Sequence, residues 1–181
     1  MPYSPHRSVP VRTIATRIVL ALCISHCATT GPVTATTPPP PQKSSAEKEL
    51  VVNLAAHTWT AYDAAGQVIK TGRAIGGRDW CPDIKSHCHT PIGTFRVQRK
   101  GGAACVSKTF PLPDGGAPMP YCVFFHNGIA IHGWSGKTFT RHLSHGCVRV
   151  SIPDAKWMHD FLVAPTTENG YQGTKIRVLS Y

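Results

Sequence analysis

The sequence lacks a long apolar run, and it is poor in acidic residues. Its most apolar segment, residues 18–24 (IVLALCI), is far shorter than the roughly 20 residues that a membrane-spanning helix needs, which excludes a bilayer span there. Nine Asp and Glu residues stand against nineteen Lys and Arg residues, for a formal net charge of +10. This balance favours an anionic partner: nucleic acid, an acidic membrane surface or an anionic polymer.

The chain also lacks internal repeats and the motifs of nucleic-acid-binding modules. No zinc-finger spacing, RNP-like motif or arginine-rich helix accompanies the positive charge. Since such motifs identify nucleic-acid-binding proteins, we expect no nucleic-acid partner. The apolar fraction of 41% and the charged fraction of 15% are typical of a globular domain.

The first residues have the pattern of an export signal. Three arginines precede the apolar run, and small residues follow it, as in a secretory signal peptide. We expect residues 1–28 to be the signal peptide, with cleavage as late as residue 35. Alternatively, a bacterial lipoprotein signal ends before Cys27, and Cys27 carries a lipid anchor. Both alternatives predict an exported protein of the periplasm or cell envelope.

The composition changes after the signal. Residues 29–48 are rich in Pro and Thr and include four consecutive prolines, which favour an extended chain without a packing face. We interpret this segment as a tether. One folded catalytic domain is then expected over residues 49–181.

Short alternating apolar segments dominate this domain and predict β-strands. Asn127-Gly128 lies between two of them, which is a strong hairpin signal. The one convincing helix is expected near residues 153–163, where Pro and Asp stand in the first turn and apolar residues share one face. The fold class is therefore mainly β with one accessory helix.

Cysteine usage points to one unpaired thiol. Of seven cysteines, two lie in the signal region, which leaves five in the exported chain. An odd count in an oxidising compartment favours disulfides plus a free cysteine. Short sequence separation favours the pairs Cys81–Cys88 and Cys105–Cys122 among three possible connectivities, which leaves Cys147 unpaired.

A metal site is the alternative to the first disulfide. Cys81, His87, Cys88 and His89 all carry groups that bind zinc. Adjacent Cys-His pairs do not have the usual spacing of zinc ligands, however, and we predict neither a metal nor another cofactor.

A cysteine and a histidine together suggest nucleophilic catalysis. In the predicted strand 129–132, Ala130 and His132 share one face because side chains alternate. Cys147 follows Gly146 in a polar turn. An imidazole that removes the thiol proton creates the nucleophilic thiolate. Gly146 lets the backbone approach closely, and backbone amides near Cys147 are expected to stabilise an oxyanion. The alternative is a structural histidine and a small buried cysteine.

Several motifs resemble one known family. IHG at residues 131–133, ten further residues and then SHGCVR at 144–149 form a signature, and TPIGTF at 90–95 lies upstream. The chain from about residue 49 to 179 resembles L,D-transpeptidases with a YkuD-type catalytic domain, which implies a YkuD-like β-sandwich.

The resemblance also implies roles for individual residues. Cys147 is the expected nucleophile, His132 the general base and acid, and the Gly133 carbonyl the group that orients the imidazole. Four further residues are expected to shape the pocket: Ser144, His145, Gly146 and Arg149. Alternatively, Ser144 caps a turn and Arg149 is a structural ion-pair partner.

The function implied by the resemblance is acyl transfer on peptidoglycan. The cysteine attacks a stem peptide, and the thioester passes to the amine of a second stem, to a wall-anchored lipoprotein or to water. The last case describes an L,D-carboxypeptidase or hydrolase that trims stems or releases lipoprotein. Carbapenem-type β-lactams are the expected inhibitors. A non-catalytic wall-binding lipoprotein is the alternative of another class.

Overall fold

The computed structural model describes residues 47–181. The expected signal peptide, nearly all of the tether and the lipid anchor at Cys27 therefore lie outside the described residues. Within the described part, no helix has the length and apolar character required to cross a membrane.

Eleven strands and one helix form this part of the chain. In chain order they are β1 Glu49–Asn53, β2 Thr58–Tyr62, β3 Val68–Arg73, β4 Trp80–Cys81, β5 Ser86–His87, β6 Gly93–Arg96, β7 Arg99–Lys100, β8 Val123–His126, β9 Ile129–Trp134, β10 Val148–Ser151, α1 Ile152–Phe161 and β11 Lys175–Leu179.

The strands form two open sheets and a small hairpin. The larger sheet has the order β3-β2-β1-β11-β6, the second β10-β9-β8-β7, and β4 pairs only with β5. β1 with β11 and β9 with β10 are parallel pairs, and the other strand pairs are antiparallel. The predicted mainly-β fold with one helix is confirmed.

One apolar core lies between the two sheets and the helix. Leu50 and Ile176 come from the larger sheet, Phe125 and Val150 from the second, and Met158 from α1, all at most 1% exposed. Each such side chain contributes roughly 1.5–3 kcal/mol by leaving water. The sheets are thereby held face to face.

The helix follows β10 directly, and Pro153 and Asp154 lie in its first turn as expected. The Ser151 hydroxyl accepts a hydrogen bond from the backbone N–H of Asp154 at 3.2 Å, which caps the N-terminus. The helix ends at Phe161, two residues earlier than predicted. The chain turns extended at Leu162, and the N–H of Val163 donates to the Thr174 hydroxyl instead of continuing the helix.

The β8–β9 hairpin and the β9–β10 pair set the geometry of the site. Asn127 and Gly128 have φ of 40° and 85° and make the predicted turn. Across the parallel pair, Val148 lies opposite Ile131 and Arg149 opposite His132. This register fixes residues 147–149 beside residues 130–132.

Candidate active site

Cys147 lies immediately before β10, beside β9. The backbone N–H of Ala130 donates to its Sγ at 3.4 Å. Cys147 is the free cysteine of residues 47–181. The strand pairing therefore holds a half-buried thiol at the edge of the second sheet.

The other four described cysteines form two disulfides. They are Cys81–Cys88 and Cys105–Cys122, the pairs favoured by the sequence. Cys81 also approaches Asp83 and His145 closely enough for a shared metal, but its sulfur is not a thiolate. The same bond removes both sulfurs from the alternative zinc set with His87 and His89.

His132 lies on the face of β9 that Ala130 also occupies. It is only 5% exposed, and its Nδ1 donates to the Gly133 carbonyl oxygen at 2.8 Å. Because a carbonyl oxygen only accepts, this bond places the ring proton on Nδ1 and leaves Nε2 as the acceptor. The expected orienting contact of Gly133 is present in the structure.

A cavity of about 530 Å³ brings the predicted residues together. Five of the seven non-disulfide candidates line it: His132, Ser144, His145, Cys147 and Arg149. The segment from Cys105 to Met119 supplies much of the facing wall. Gly133 and Gly146 contribute through the backbone.

Ser144 and Gly146 shape the turn before the thiol. The buried Ser144 hydroxyl donates to the carbonyl oxygen of Cys147 and accepts from the N–H of Gly146 at 3.1 Å. The alternative that Ser144 caps a turn thus has direct contacts in the structure. The second of these bonds occupies the Gly146 amide, so in this state that amide is not free for an oxyanion.

Gly146 itself is required by its backbone conformation. Its φ is +112°. Other residue types rarely adopt this backbone conformation.

Thr90 of the TPIGTF motif helps to hold the turn that precedes Cys147. The Thr90 hydroxyl accepts from the N–H of Gly77 at 3.0 Å, and Gly77 pairs with Ser144 in an isolated parallel bridge. A Cβ on Gly77 would lie 1.8 Å from the Cys88 carbonyl oxygen. The motif therefore contributes to the site through the Thr90 hydroxyl, which binds Gly77 beside Ser144.

His145 has partners that the sequence did not reveal. Its Nε2 lies 2.7 Å from Oδ2 of Asp83, and its ring stacks on Phe110 with 4.1 Å between centroids. Asp83 is 62 residues away in sequence. No spacing pattern connects the two, although Asp83 lies within the small loop that the predicted disulfide closes.

Arg149 lies opposite His132 and carries positive charge into the cavity. Its guanidinium stands 5.4 Å from the centroid of the Trp134 ring. Among residues 47–181 it makes no ion pair, and its Nε is buried without a hydrogen bond. The alternative of a structural ion-pair partner is therefore wrong for the described part of the chain.

Burial shifts the pKa values of the Cys–His pair in opposite directions. It raises the pKa of Cys147, although the Ala130 N–H and the charge of Arg149 oppose the shift. It lowers the pKa of His132 to about 4; the Gly133 hydrogen bond opposes this shift and Arg149 reinforces it. The resting pair at neutral pH is a neutral thiol and a neutral imidazole.

The cavity has a one-sided charge. Arg99, Lys108 and Arg149 line it, and no Asp or Glu side chain does so among the described residues. Such a site favours anionic ligands. Arg99 and Lys108 were not identified from the sequence, because only the fold brings them to the cavity.

Comparison with known proteins yields one family and several solved structures. The family model of the L,D-transpeptidase catalytic domain, YkuD, matches residues 47–178. No curated protein matches the chain. An L,D-transpeptidase from Xylanimonas cellulosilytica is 24% identical over 77% of this chain and 63% of that one, with a TM-score of 0.58.

Two mycobacterial structures are similar as well. An L,D-transpeptidase from Mycobacterium smegmatis is 25% identical over 74% of this chain and 59% of that one, with a TM-score of 0.56. L,D-transpeptidase 3 from Mycobacterium tuberculosis, in complex with a faropenem-derived adduct, is 19% identical over 74% and 60%, with a TM-score of 0.54. The chain thus spans about three fifths of the length of these structures, and it shares their fold.

Proposed function

The chain belongs to the family of L,D-transpeptidase catalytic domains, and we propose that it transfers peptidoglycan stem peptides through a thioester on Cys147. The donor is a stem tetrapeptide that loses its terminal D-Ala. The acceptor is the side-chain amine of a second stem. The observation that carries the proposal is a free thiol in one cavity with a buried, oriented imidazole.

The first half-reaction uses the neutral pair directly. As the Cys147 sulfur attacks the stem carbonyl, its proton passes to Nε2 of His132. The imidazolium then gives that proton to the departing D-Ala amine. Burial disfavours a standing thiolate–imidazolium pair, so proton transfer accompanies bond formation.

The cavity walls suit the donor. A stem peptide carries free carboxylates, and Arg99, Lys108 and Arg149 provide positive charge without a competing acidic residue in the lining. Carbapenem-type β-lactams are the proposed inhibitors, because the relatives include one structure with imipenem and one with a faropenem-derived adduct.

Turnover of a tetrapeptide stem tests the proposal. We expect release of D-Ala by the wild type and none by Cys147→Ala, with thermal unfolding used to show that the variant is folded. Asp160→Asn, an exposed change on α1, is the matched control and should keep full activity. D-Ala release by folded Cys147→Ala would contradict the nucleophile assignment.

Product analysis separates transfer from hydrolysis. With an acceptor stem present, a transpeptidase forms cross-linked dimers, whereas an L,D-carboxypeptidase yields only the trimmed stem. Attachment to a wall-anchored lipoprotein predicts a product with a protein lysine as the acceptor. Intact sacculi that bind the protein while neither product forms would favour the non-catalytic alternative.

Export to the periplasm or cell envelope is part of the same proposal. It is supported by the basic and apolar N-terminal pattern and by the two disulfides, since disulfides persist in oxidising compartments. The mass of the mature N-terminus distinguishes cleavage by residue 35 from lipidation at Cys27. A full-length chain retained in the cytoplasm would contradict export.

A further inference from the structure

The small disulfide loop reaches the cavity through one contact. Asp83 lies between Cys81 and Cys88, and its Oδ2 is 2.7 Å from Nε2 of His145. His145 lines the cavity with Cys147 and is separated from it by one residue. The stacked ring of Phe110 restricts the imidazole from a second side.

This contact fixes the tautomer of His145. The Asp83 carboxylate accepts, so the proton lies on Nε2, and Nδ1 is left as a proton acceptor. Within residues 47–181, Nδ1 has no hydrogen-bond partner. A carboxylate bonded to one ring nitrogen holds the imidazole in place and keeps the other nitrogen available as an acceptor.

The His145–Asp83 pair includes a negative charge, unlike the residues that line the rest of the cavity. The lining carries three cations and no carboxylate, so an incoming ammonium group meets repulsion almost everywhere. Asp83 places a negative charge in direct contact with a lining residue, His145. Because the His145 side chain is 21% exposed, a proton bound there can pass to solvent.

Amine transfer requires the removal of two protons from the acceptor. A side-chain ammonium has a pKa near 10.4, so less than about 0.1% is uncharged at pH 7. One proton must leave before the nitrogen lone pair can attack. The second leaves as the C–N bond forms and the C–S bond breaks, and it travels through His132 to the Cys147 sulfur.

We propose that His145, oriented by Asp83, binds the acceptor ammonium and removes its first proton. The proton moves from nitrogen to Nδ1 of His145 and then to water, and the free amine attacks the thioester. His132 remains available for the second proton. The inference rests on the proposed transpeptidase function, and it concerns only the second half-reaction. Asp83 is a positioning residue that acts through His145.

The test compares two acceptors in Asp83→Asn. A stem with a side-chain ammonium needs the first deprotonation, whereas hydroxylamine is already uncharged at neutral pH. We expect transfer to the ammonium acceptor to fall about tenfold or more relative to transfer to hydroxylamine. His145→Gln should show the same selective loss, and raising the pH should restore ammonium transfer in both variants.

Asp79→Asn is the matched control. Asp79 contacts His87 and His89 in the same region, and it does not line the cavity. Its transfer rates to both acceptors should equal those of the wild type. An equal loss with both acceptors in Asp83→Asn would indicate displaced structure and overturn the proposal, as would no loss with either.

The mass increase on treatment with a carbapenem measures acyl-enzyme formation, the first half-reaction, independently of transfer to an acceptor. A wild type that never forms an acyl-enzyme would contradict the proposed function itself. The other outcome is a wild type that forms the acyl-enzyme and transfers to both acceptors while Asp83→Asn transfers to both at the wild-type rate. That outcome would contradict only the role of His145 and Asp83.

Discussion

The floor and the walls of the cavity are built in different ways. The floor consists of β9 and β10, where Ala130 is fully buried and His132 is 5% exposed. The walls are loops: residues 105–119 carry no long strand, and Val106 is 49% exposed. The Cys105–Cys122 disulfide ties down this loop. Sheet register therefore places the reacting groups, while the loops determine which ligand reaches them.

The largest expected effect on activity comes from replacing His132 in the floor. In His132→Gln the Cys147 thiol has no base, and general acid–base catalysis typically contributes 10²- to 10⁴-fold. We expect a loss of about that size in kcat/KM for D-Ala release. Far-UV and near-UV circular dichroism should match the wild type; activity retained within a few-fold would rule out His132 as the base.

Acid should lower the stability of the folded chain, because burial of His132 in the floor disfavours its protonation. The pKa of His132 is lowered to about 4 in the folded chain, and an unfolded histidine has a pKa near 6.5. The unfolded state therefore binds the proton first, so the free energy of unfolding should fall as the pH drops from about 6.5 to 4. This single group contributes about 3 kcal/mol of that loss.

Denaturant titrations at several pH values measure how the free energy of unfolding changes with pH. Over the same pH range, the free energy of unfolding of His132→Gln should fall by about 3 kcal/mol less than that of the wild type. Equal slopes in the two proteins would show that His132 is not held neutral by burial.

Removing the disulfide of the wall loop should reduce stability more than it reduces chemical activity. Cys105 and Cys122 are 17 residues apart, and a disulfide over such a loop stabilises by about 3 kcal/mol in the chain-entropy model. Cys105→Ala/Cys122→Ala should unfold at lower denaturant concentration by that amount. Iodoacetamide should still label Cys147, because the thiol is held by β9 and β10. Loss of thiol labelling would mean that the wall, too, positions the nucleophile.

A single wall charge should have the smallest effect. Lys108 is exposed on the long loop and lines the cavity, and exposed charges contribute about 0.2–1 kcal/mol. Lys108→Ala should raise KM for a carboxylate-bearing donor by a few-fold and leave kcat unchanged. Lys137→Ala, outside the cavity lining, is the control. The difference should shrink at high salt; a salt-independent effect would contradict an electrostatic role.

The same division explains what the sequence could predict. Residues of the floor carry local signals: alternation places Ala130 and His132 on one face, Asn127-Gly128 makes the hairpin, and the odd cysteine count isolates Cys147. The walls depend on contacts between distant segments. Asp83 and His145 are 62 residues apart, and Arg99 reaches the cavity only through the pairing of β7 with β8.

Two features of the site depend on local details of burial and hydrogen bonding that the sequence pattern does not encode. The Gly146 amide is occupied by the Ser144 hydroxyl, a side-chain choice that spacing does not encode. Arg149 makes no ion pair among the described residues, because the cavity around it contains no acidic lining residue. Motifs identified which residues meet at the site, and tertiary packing determined what each of them contacts.

Mass spectrometry of the carbapenem-treated protein tests the central claim most directly. The account predicts one covalent adduct per chain, mapped without reduction to the peptide that contains Cys147, with both disulfides intact and no adduct in Cys147→Ala. An adduct on another residue, an adduct that persists in Cys147→Ala, or a Cys147 bridged to another cysteine would contradict it.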